Sequence, residues 1–157
     1  MTTQEFKAFC HDEFIKRGFV KKKSAYYLKG EDNVLCSLDI QISQYGGGAG
    51  YINVAYHIGR FDDPKLYPAK NKGDLDGRIC VWSKRTYKGE HFWDALIDYT
   101  NVYSIEELKY YFDKNFEEWI MPPIFEGRKR LLEMFNVHVS VTAFDKTDEE
   151  VLAKLKE

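Results

Sequence analysis

The chain has 157 residues, a length typical of one domain, and 23 Lys and Arg against 25 Asp and Glu give a formal net charge of −2. Hydrophobic residues make up 44% and charged residues 31%, a balance that excludes a disordered chain. The near-neutral charge argues against nucleic acid as the main partner. We therefore predict one domain over residues 1–157, and the helices and strands predicted along the chain make it α+β.

The first half of the chain predicts one helix followed by antiparallel strands. Apolar residues recur at helical spacing from Phe6 to Ile15, and Gly18 follows near the C-terminal cap. Beyond Gly18 the apolar and polar residues alternate with period two, which is typical of half-buried strands. Strands are predicted, in chain order, at 25–29, 34–43, 51–58 and about 77–83.

Five residues rich in glycine, 46–50, join the second and third predicted strands. A phosphate-binding loop leads from a strand into a helix and carries a fixed glycine spacing. Here the glycines connect two antiparallel strands, so they predict a hairpin. The region 61–76 contains two prolines and no clear period, and we expect a long surface loop there.

The second half of the chain is predicted to be mainly helical. Phe92, Ala95, Leu96 and Tyr99 fit one short helix. Ser104 and Glu107 form a capping box for the next helix, with Ile105, Leu108, Phe112 and Trp119 as its buried stripe.

Pro122-Pro123 is predicted to stop that helix and to open another, which runs to Phe135. Alternation at 137–143 predicts a late strand, and Thr147 with Glu150 caps a last short helix. The fold expected is a four- to five-stranded antiparallel meander with helices packed on one face.

Cysteine usage and hydropathy indicate a compartment. The chain has three cysteines, Cys10, Cys36 and Cys80, which are widely spaced and set in apolar patterns. We therefore expect buried thiols rather than disulfides or a metal site. No signal-like segment and no apolar run of membrane-spanning length occurs, which favours a cytoplasmic protein without membrane association. No cofactor and no metal is predicted.

The outward face of the predicted sheet is the best candidate for a ligand or partner surface. Side chains that alternate with the apolar ones share this face, and neighbouring strands bring them together. The candidate residues are Asp39, Gln41, Ser43, Asn53, His57, Arg78 and Trp82. A solvated sheet face is the alternative interpretation of the same pattern.

No local pattern predicts a catalytic nucleophile or a metal site. Neither a GxSxG sequence nor a kinase or deaminase signature occurs. His91 and Asp94 lie three residues apart and could share a helical face, but two ligands are too few for a usual metal site. His11 and His138 are expected on solvated faces. No catalytic residue is therefore predicted.

Three stretches resemble a known family. They are Gly18-Phe-Val-Lys-Lys-Lys-Ser-Ala-Tyr-Tyr27, Ile40-Gln-Ile-Ser43 and Gly50-Tyr-Ile-Asn-Val54. Together with Arg78 and the region of Trp93, they are similar to the bacterial family called domain of unknown function 4304. The resemblance covers about residues 6–135 and leaves 137–157 as a C-terminal strand and helix extension; Ser24 replaces the glycine expected after the lysines. It implies no activity and transfers no catalytic residue.

Three functions remain open from the sequence. The leading hypothesis is a non-enzymatic protein-binding module, for example an immunity-type protein that blocks a toxin through its exposed sheet face or its acidic helices. Residues 90–118 carry eight acids against Lys109 and Lys114 alone. The second is a small-ligand protein or enzyme in which Arg78 binds an anion, His57 acts as acid or base and Asp39 orients it. The third, a nucleic-acid accessory that uses Lys21–Lys23, fits the net charge poorly.

Overall fold

The computed structural model describes residues 1–44, 47–70, 72–100, 102–137, 141–143 and 146–157. Helix α1 (Thr3–Ile15) begins after Thr2, whose hydroxyl accepts a hydrogen bond from the Glu5 amide at 3.1 Å. Its apolar stripe is buried, and the chain leaves the helix through Gly18 at φ +98°. The predicted first helix is confirmed.

The strands that follow are all antiparallel to their neighbours. They are β1 (Val20–Lys22), β2 (Ala25–Lys29), β3 (Val34–Ile42), β4 (Ala49–Ile58), β5 (Leu75–Arg78), β6 (Val81–Trp82), β7 (Trp93–Asp94), β8 (Ile97–Asp98) and β9 (Thr142–Ala143). In the described part of the chain, the main sheet has seven strands in the order β1-β2-β3-β4-β5-β9, with β8 on the first residues of β4. Strands β6 and β7 form a separate pair. The α+β class is confirmed, although the main sheet has more strands than the four or five expected.

Alternation along β3 and β4 sorts their side chains onto two faces, as the period of two predicts. On one face, Cys36, Leu38, Ile52, Val54 and their alternates are buried against the helices in one continuous hydrophobic core. Side chains of the other face lie outside this core.

A loop after β4 covers one half of that second face. Phe61 and Tyr67 of this loop pack against Ala25, Tyr27 and Leu35 in a small second cluster. The Tyr27 hydroxyl also donates to the Pro68 carbonyl at 2.9 Å. The loop therefore covers one end of this sheet face and leaves the other end open.

Five further helical segments complete the second half of the described chain. Helix α2 (Ile105–Asn115) begins at the predicted Ser104–Glu107 capping box. It continues without a break into a π-helical turn (Phe116–Ile120) and helix α3 (Met121–Glu126). Helices α4 (Arg128–Asn136) and α5 (Asp148–Lys156) follow, and the predicted Thr147–Glu150 box caps α5.

Charged side chains attach the C-terminal helices to the sheet. Asp74, which is buried, accepts hydrogen bonds from Lys146, from Lys154 at 2.9 Å and from the Ile58 amide at 2.8 Å. Burial alone would raise the pKa of Asp74, but these donors lower it below its usual value. The Asp74 carboxylate is therefore the anchor of the C-terminal segment.

Several expectations for the second half were wrong. The region 92–99 forms β7 and β8 instead of a helix, and the strand expected at 77–83 is divided into β5 and β6. Pro122-Pro123 lies in the first turn of α3, as expected for prolines that open a helix, but α2 runs into α3 through the π-helical turn instead of stopping, and Gly127 divides the predicted helix into α3 and α4. Ile105 is 49% exposed and lies off the buried stripe.

The late strand and the cysteines differ in part from expectation. Within the predicted strand at 137–143, Thr142 and Ala143 form β9 and Val137 follows the end of α4, while residues 138–140, including His138, lie outside the described residues. Cys10 and Cys36 are buried as expected, but Cys80 is only half-buried. Among the described residues, no helix is long and apolar enough to cross a membrane.

Candidate functional site

Four of the predicted surface residues converge at the open end of the sheet. The register of β3, β4 and β5 places Asp39 opposite Asn53 and Asn53 opposite Arg78. Asn53 Nδ2 donates to Asp39 Oδ2 at 3.1 Å and to Gln41 Oε1 at 3.0 Å. Arg78 Nε donates to Asn53 Oδ1 at 2.9 Å, and its guanidinium carbon lies 4.1 Å from the centre of the Tyr51 ring. These contacts fix the orientation of Arg78.

A depression of about 420 Å³ lies over this network. Lys70 and Asp76 contribute to its rim, and Lys70 Nζ lies 3.6 Å from Asp39 Oδ2. Burial raises the pKa of Asp76, while the positive charge of Arg78 acts in the opposite direction. We call this region, lined by Asp39, Gln41, Asn53, Lys70, Asp76 and Arg78, the polar depression.

His57 shares the sheet face with these residues but does not join them. It is only 2% exposed, and its Nε2 atom lies 2.9 Å from the hydroxyl of buried Ser37. Burial lowers the pKa of His57 to about 4, against opposing contributions from the Asp74 charge and the Lys72 main chain. The expected grouping of His57 with Asp39 and Arg78 is therefore not found, because the loop after β4 covers that end of the sheet.

Ser43 and Trp82 also lie away from the polar depression. Ser43 follows the last residue of β3, and its amide donates to the Ala49 carbonyl at 2.9 Å. Trp82 lies on β6, which leaves the main sheet and pairs with β7. Sequence alternation predicted its outward direction correctly, since Trp82 is 42% exposed while Val81 is buried.

Trp82 is part of an exposed group of aromatic side chains. Its ring centre lies 5.2 Å from that of Trp93, which lies 6.0 Å from Tyr111, and Tyr111 contacts both Tyr103 and Tyr110. Trp93 and Tyr110 are 49% and 62% exposed. These five residues, contributed by β6, β7, α2 and the segment before α2, are called the aromatic cluster below.

Beside the aromatic cluster, a second cavity of about 400 Å³ is bounded by Arg78, Trp93, Trp119, Lys114 and Glu118. Its floor is held by Asn115. The Asn115 Oδ1 atom accepts from the Cys80 amide at 3.1 Å and from Trp119 Nε1 at 2.9 Å. Its Nδ2 atom donates to the carbonyls of Cys80 at 2.8 Å and Tyr111 at 2.7 Å. We call this the Asn115 cavity.

Sequence reasoning missed the Asn115 cavity, since a lone asparagine inside a helix carries no visible signal. Trp119 lies four residues after Asn115, on the same side of the helix and within the π-helical turn, and such turns often occur at functional sites. Arg78 borders both this cavity and the polar depression. In the described ranges, no group of three or more His, Cys, Asp or Glu side chains is placed to hold a metal ion.

The fold and this surface define an α+β protein whose long antiparallel meander carries the polar depression on one face, with the aromatic cluster beside it on β6, β7 and α2. Its family follows from sequence comparison. The model of the family described as domain of unknown function (DUF4304) matches residues 10–124, and the chain belongs to that family. The match includes the polar depression, the aromatic cluster and the Asn115 cavity, whereas α4 and α5 lie beyond it. Comparisons with functionally curated proteins and with solved structures gave no match.

Proposed function

We propose that the protein is a protein-binding module whose contact surface is the aromatic cluster. One observation carries the proposal: Trp82, Trp93 and Tyr110 are all more than 40% exposed and are linked through ring contacts. Single exposed apolar residues are ordinary, but contiguous exposed aromatic groups mark interaction sites. Trp and Tyr are also the residues enriched at the energetic centres of interfaces.

The cluster is held by contacts that a partner would not need to rearrange. The Tyr103 hydroxyl donates to the Trp82 carbonyl at 2.9 Å, which ties the β6–β7 pair to the segment before α2. Lys84 Nζ pairs with Glu107 at 2.6 Å, and Arg85 Nε with Asp94 at 2.9 Å. A surface that is ordered before binding loses less conformational entropy when a partner docks.

The charge around the cluster indicates the chemistry of the partner. Residues 104–120, which include α2 and the π-helical turn, carry five acids against Lys109 and Lys114. Three of these acids, Glu106, Glu117 and Glu118, are exposed. A partner with a basic surface around an apolar centre complements this arrangement and would associate faster at low salt.

An immunity-type protein that blocks a toxin is the most concrete form of this proposal. Such a protein needs a stable, ordered surface that a single cognate partner recognises, and the aromatic cluster with its acidic surroundings supplies one. The proposal requires no catalytic group on this chain.

The experiment is affinity capture from the lysate of the cells that produce the protein, with washes at low and high salt, using three baits. They are the natural chain, a Trp82→Ala/Trp93→Ala variant and a Phe125→Ala variant. Phe125 is 65% exposed on α3 and makes no ring contact with the cluster, so it is the matched control.

We expect one basic protein that survives the high-salt wash on the natural chain and on Phe125→Ala. The purified partner should bind the double variant at least about tenfold more weakly, the effect of losing interface centres of this type. Equal retention by the double variant would contradict the proposal, provided its thermal unfolding shows that it is folded.

A further inference from the structure

We propose that the Asn115 cavity, together with Arg78, binds a small molecule that combines a planar ring with one anionic group, a carboxylate or a phosphate. This inference goes beyond the protein-binding proposal and does not depend on it. It rests on the shape of the cavity, its rigid floor, its aromatic walls and the charges at its mouth.

The cavity has the size and construction of a small-molecule site. Its volume of about 400 Å³ falls within the range of roughly 300–1,000 Å³ found for ligand pockets. Asn115, only 6% exposed, makes four hydrogen bonds that fix the Cys80 main chain and the Trp119 indole. The floor is therefore preorganised, and little order has to be created on binding.

Two indole rings form the apolar part of the cavity. Trp119 is held by its Nε1 hydrogen bond to Asn115, and Trp93 is 49% exposed at the rim. Lys114 Nζ lies 5.8 Å from the centre of the Trp93 ring, which places a positive charge beside this aromatic wall. Stacking between flat rings is worth about 0.5–1.5 kcal/mol beyond burial, which favours a planar ligand.

The charges at the mouth select an anion. Lys114 and Glu118 pair with each other at 2.7 Å, so the Arg78 guanidinium is the charge at the mouth that remains for an anion. The stacking on Tyr51 and the Nε bond to Asn53 fix the plane of the Arg78 guanidinium. A guanidinium fork of fixed orientation matches the two oxygens of a carboxylate or a phosphate.

The test uses two anionic probes with their neutral counterparts: 4-hydroxybenzoate with 4-hydroxybenzamide, and adenosine 5′-monophosphate with adenosine. Binding to the full chain is measured by titration calorimetry and by NMR of the three tryptophan indole N–H signals. Arg78→Gln is the test variant. Arg60→Gln is the matched control, because Arg60 is an exposed arginine that lines neither cavity.

We expect at least one anionic probe to bind. Its neutral counterpart should bind at least about tenfold more weakly, which is the effect of losing a hydrogen bond to a charged group. The Trp93 and Trp119 indole signals should shift, and Arg78→Gln but not Arg60→Gln should weaken binding to the same extent. Binding of the benzoate alone would identify a carboxylate ligand, and binding of the nucleotide alone a phosphate ligand.

Three results would overturn the inference. They are no binding of either anionic probe at millimolar concentration, equal binding of the neutral counterparts, and unchanged affinity in a folded Arg78→Gln variant. None of these results bears on capture of a protein partner by the aromatic cluster, so the two proposals fail separately.

Discussion

The buried His57 should make the protein lose stability as the pH falls below neutrality. In the folded chain its pKa is about 4, because burial disfavours the charged ring, whereas an unfolded chain has a histidine pKa of about 6.5. Between these two values the unfolded state binds the additional proton. The free energy of unfolding therefore falls as the pH falls through this window.

The magnitude follows from the difference between the two pKa values. A gap of about 2.5 pH units at about 1.4 kcal/mol each gives about 3–4 kcal/mol, lost between about pH 6.5 and pH 4. The histidine is 2% exposed, so screening by solvent does not reduce this figure much. A domain of this size has only about 5–15 kcal/mol of stability, so the loss is a large fraction of it.

Urea unfolding followed by tryptophan fluorescence at pH 7, 6, 5 and 4.5 measures the effect. The comparison is between the natural chain and His57→Gln, whose amide can still reach the Ser37 hydroxyl but does not titrate. Other groups titrate equally in both chains, so the difference between their pH profiles isolates His57. If the free energy of unfolding changed with pH equally in both chains, the reasoning would be refuted. His57 would then gain its proton in the folded protein as readily as in the unfolded chain.

Two further substitutions, each with a matched control, test the buried carboxylate of Asp74 and the close backbone contact at Gly30. Asp74→Asn should lower the free energy of unfolding by about 2–3 kcal/mol, because two lysines lose the buried carboxylate that they face, while Asp62→Asn at an exposed pair should cost less than about 0.5 kcal/mol. Equal urea midpoints would contradict the anchoring role of Asp74. Gly30→Ala should cost about 2 kcal/mol or more, since its Cβ would lie 2.2 Å from the Ile124 carbonyl oxygen, whereas Gly47→Ala meets nothing within 4 Å. Thermal unfolding of the pair checks this, and a Gly30→Ala melting temperature equal to that of Gly47→Ala would be inconsistent with the close approach.

The sequence was most informative where the alternation of side chains along a strand and the pairing of neighbouring strands act together. Strict alternation sorted the side chains of β3 and β4 onto two faces, and the two strands pair as expected, so Asp39, Gln41 and Asn53 were correctly predicted to converge. The same alternation along β5, the next strand in the sheet, placed Arg78 on this face opposite Asn53. Local backbone chemistry was equally reliable at the Ser104 capping box, whose residues lie within one turn of each other.

The same alternation could not separate His57 from its neighbours. It is four residues from Asn53 on β4, which keeps it on the same face but moves it along the strand beneath the loop after β4. This loop has no period, and its apolar residues Phe61 and Tyr67 are isolated in sequence. Where it would fold back was therefore not readable from the pattern.

The predicted helix at 92–99 shows how turn chemistry can compete with apolar spacing. The Asp94 carboxylate accepts from the Leu96 amide at 3.0 Å, and Asp98 accepts from the Thr100 amide at 3.3 Å. Such bonds from an aspartate to the main chain two residues later stabilise turns and compete with helix formation. Two aspartates four residues apart were the signal that the helical spacing concealed.

The Asn115 cavity was hidden for a different reason, since it depends on one residue whose partners are distant in sequence. Cys80 lies 35 positions before Asn115, and its main chain is paired there on both sides by the asparagine amide. A buried amide with all of its bonds formed favours one arrangement of the surrounding chain, because any shift would leave several polar groups without partners. Asn115 therefore fixes the place where the β5–β6 connection meets α2, and that contact puts Arg78 beside Trp93. The polar depression and the aromatic cluster therefore meet beside the connection that Asn115 holds.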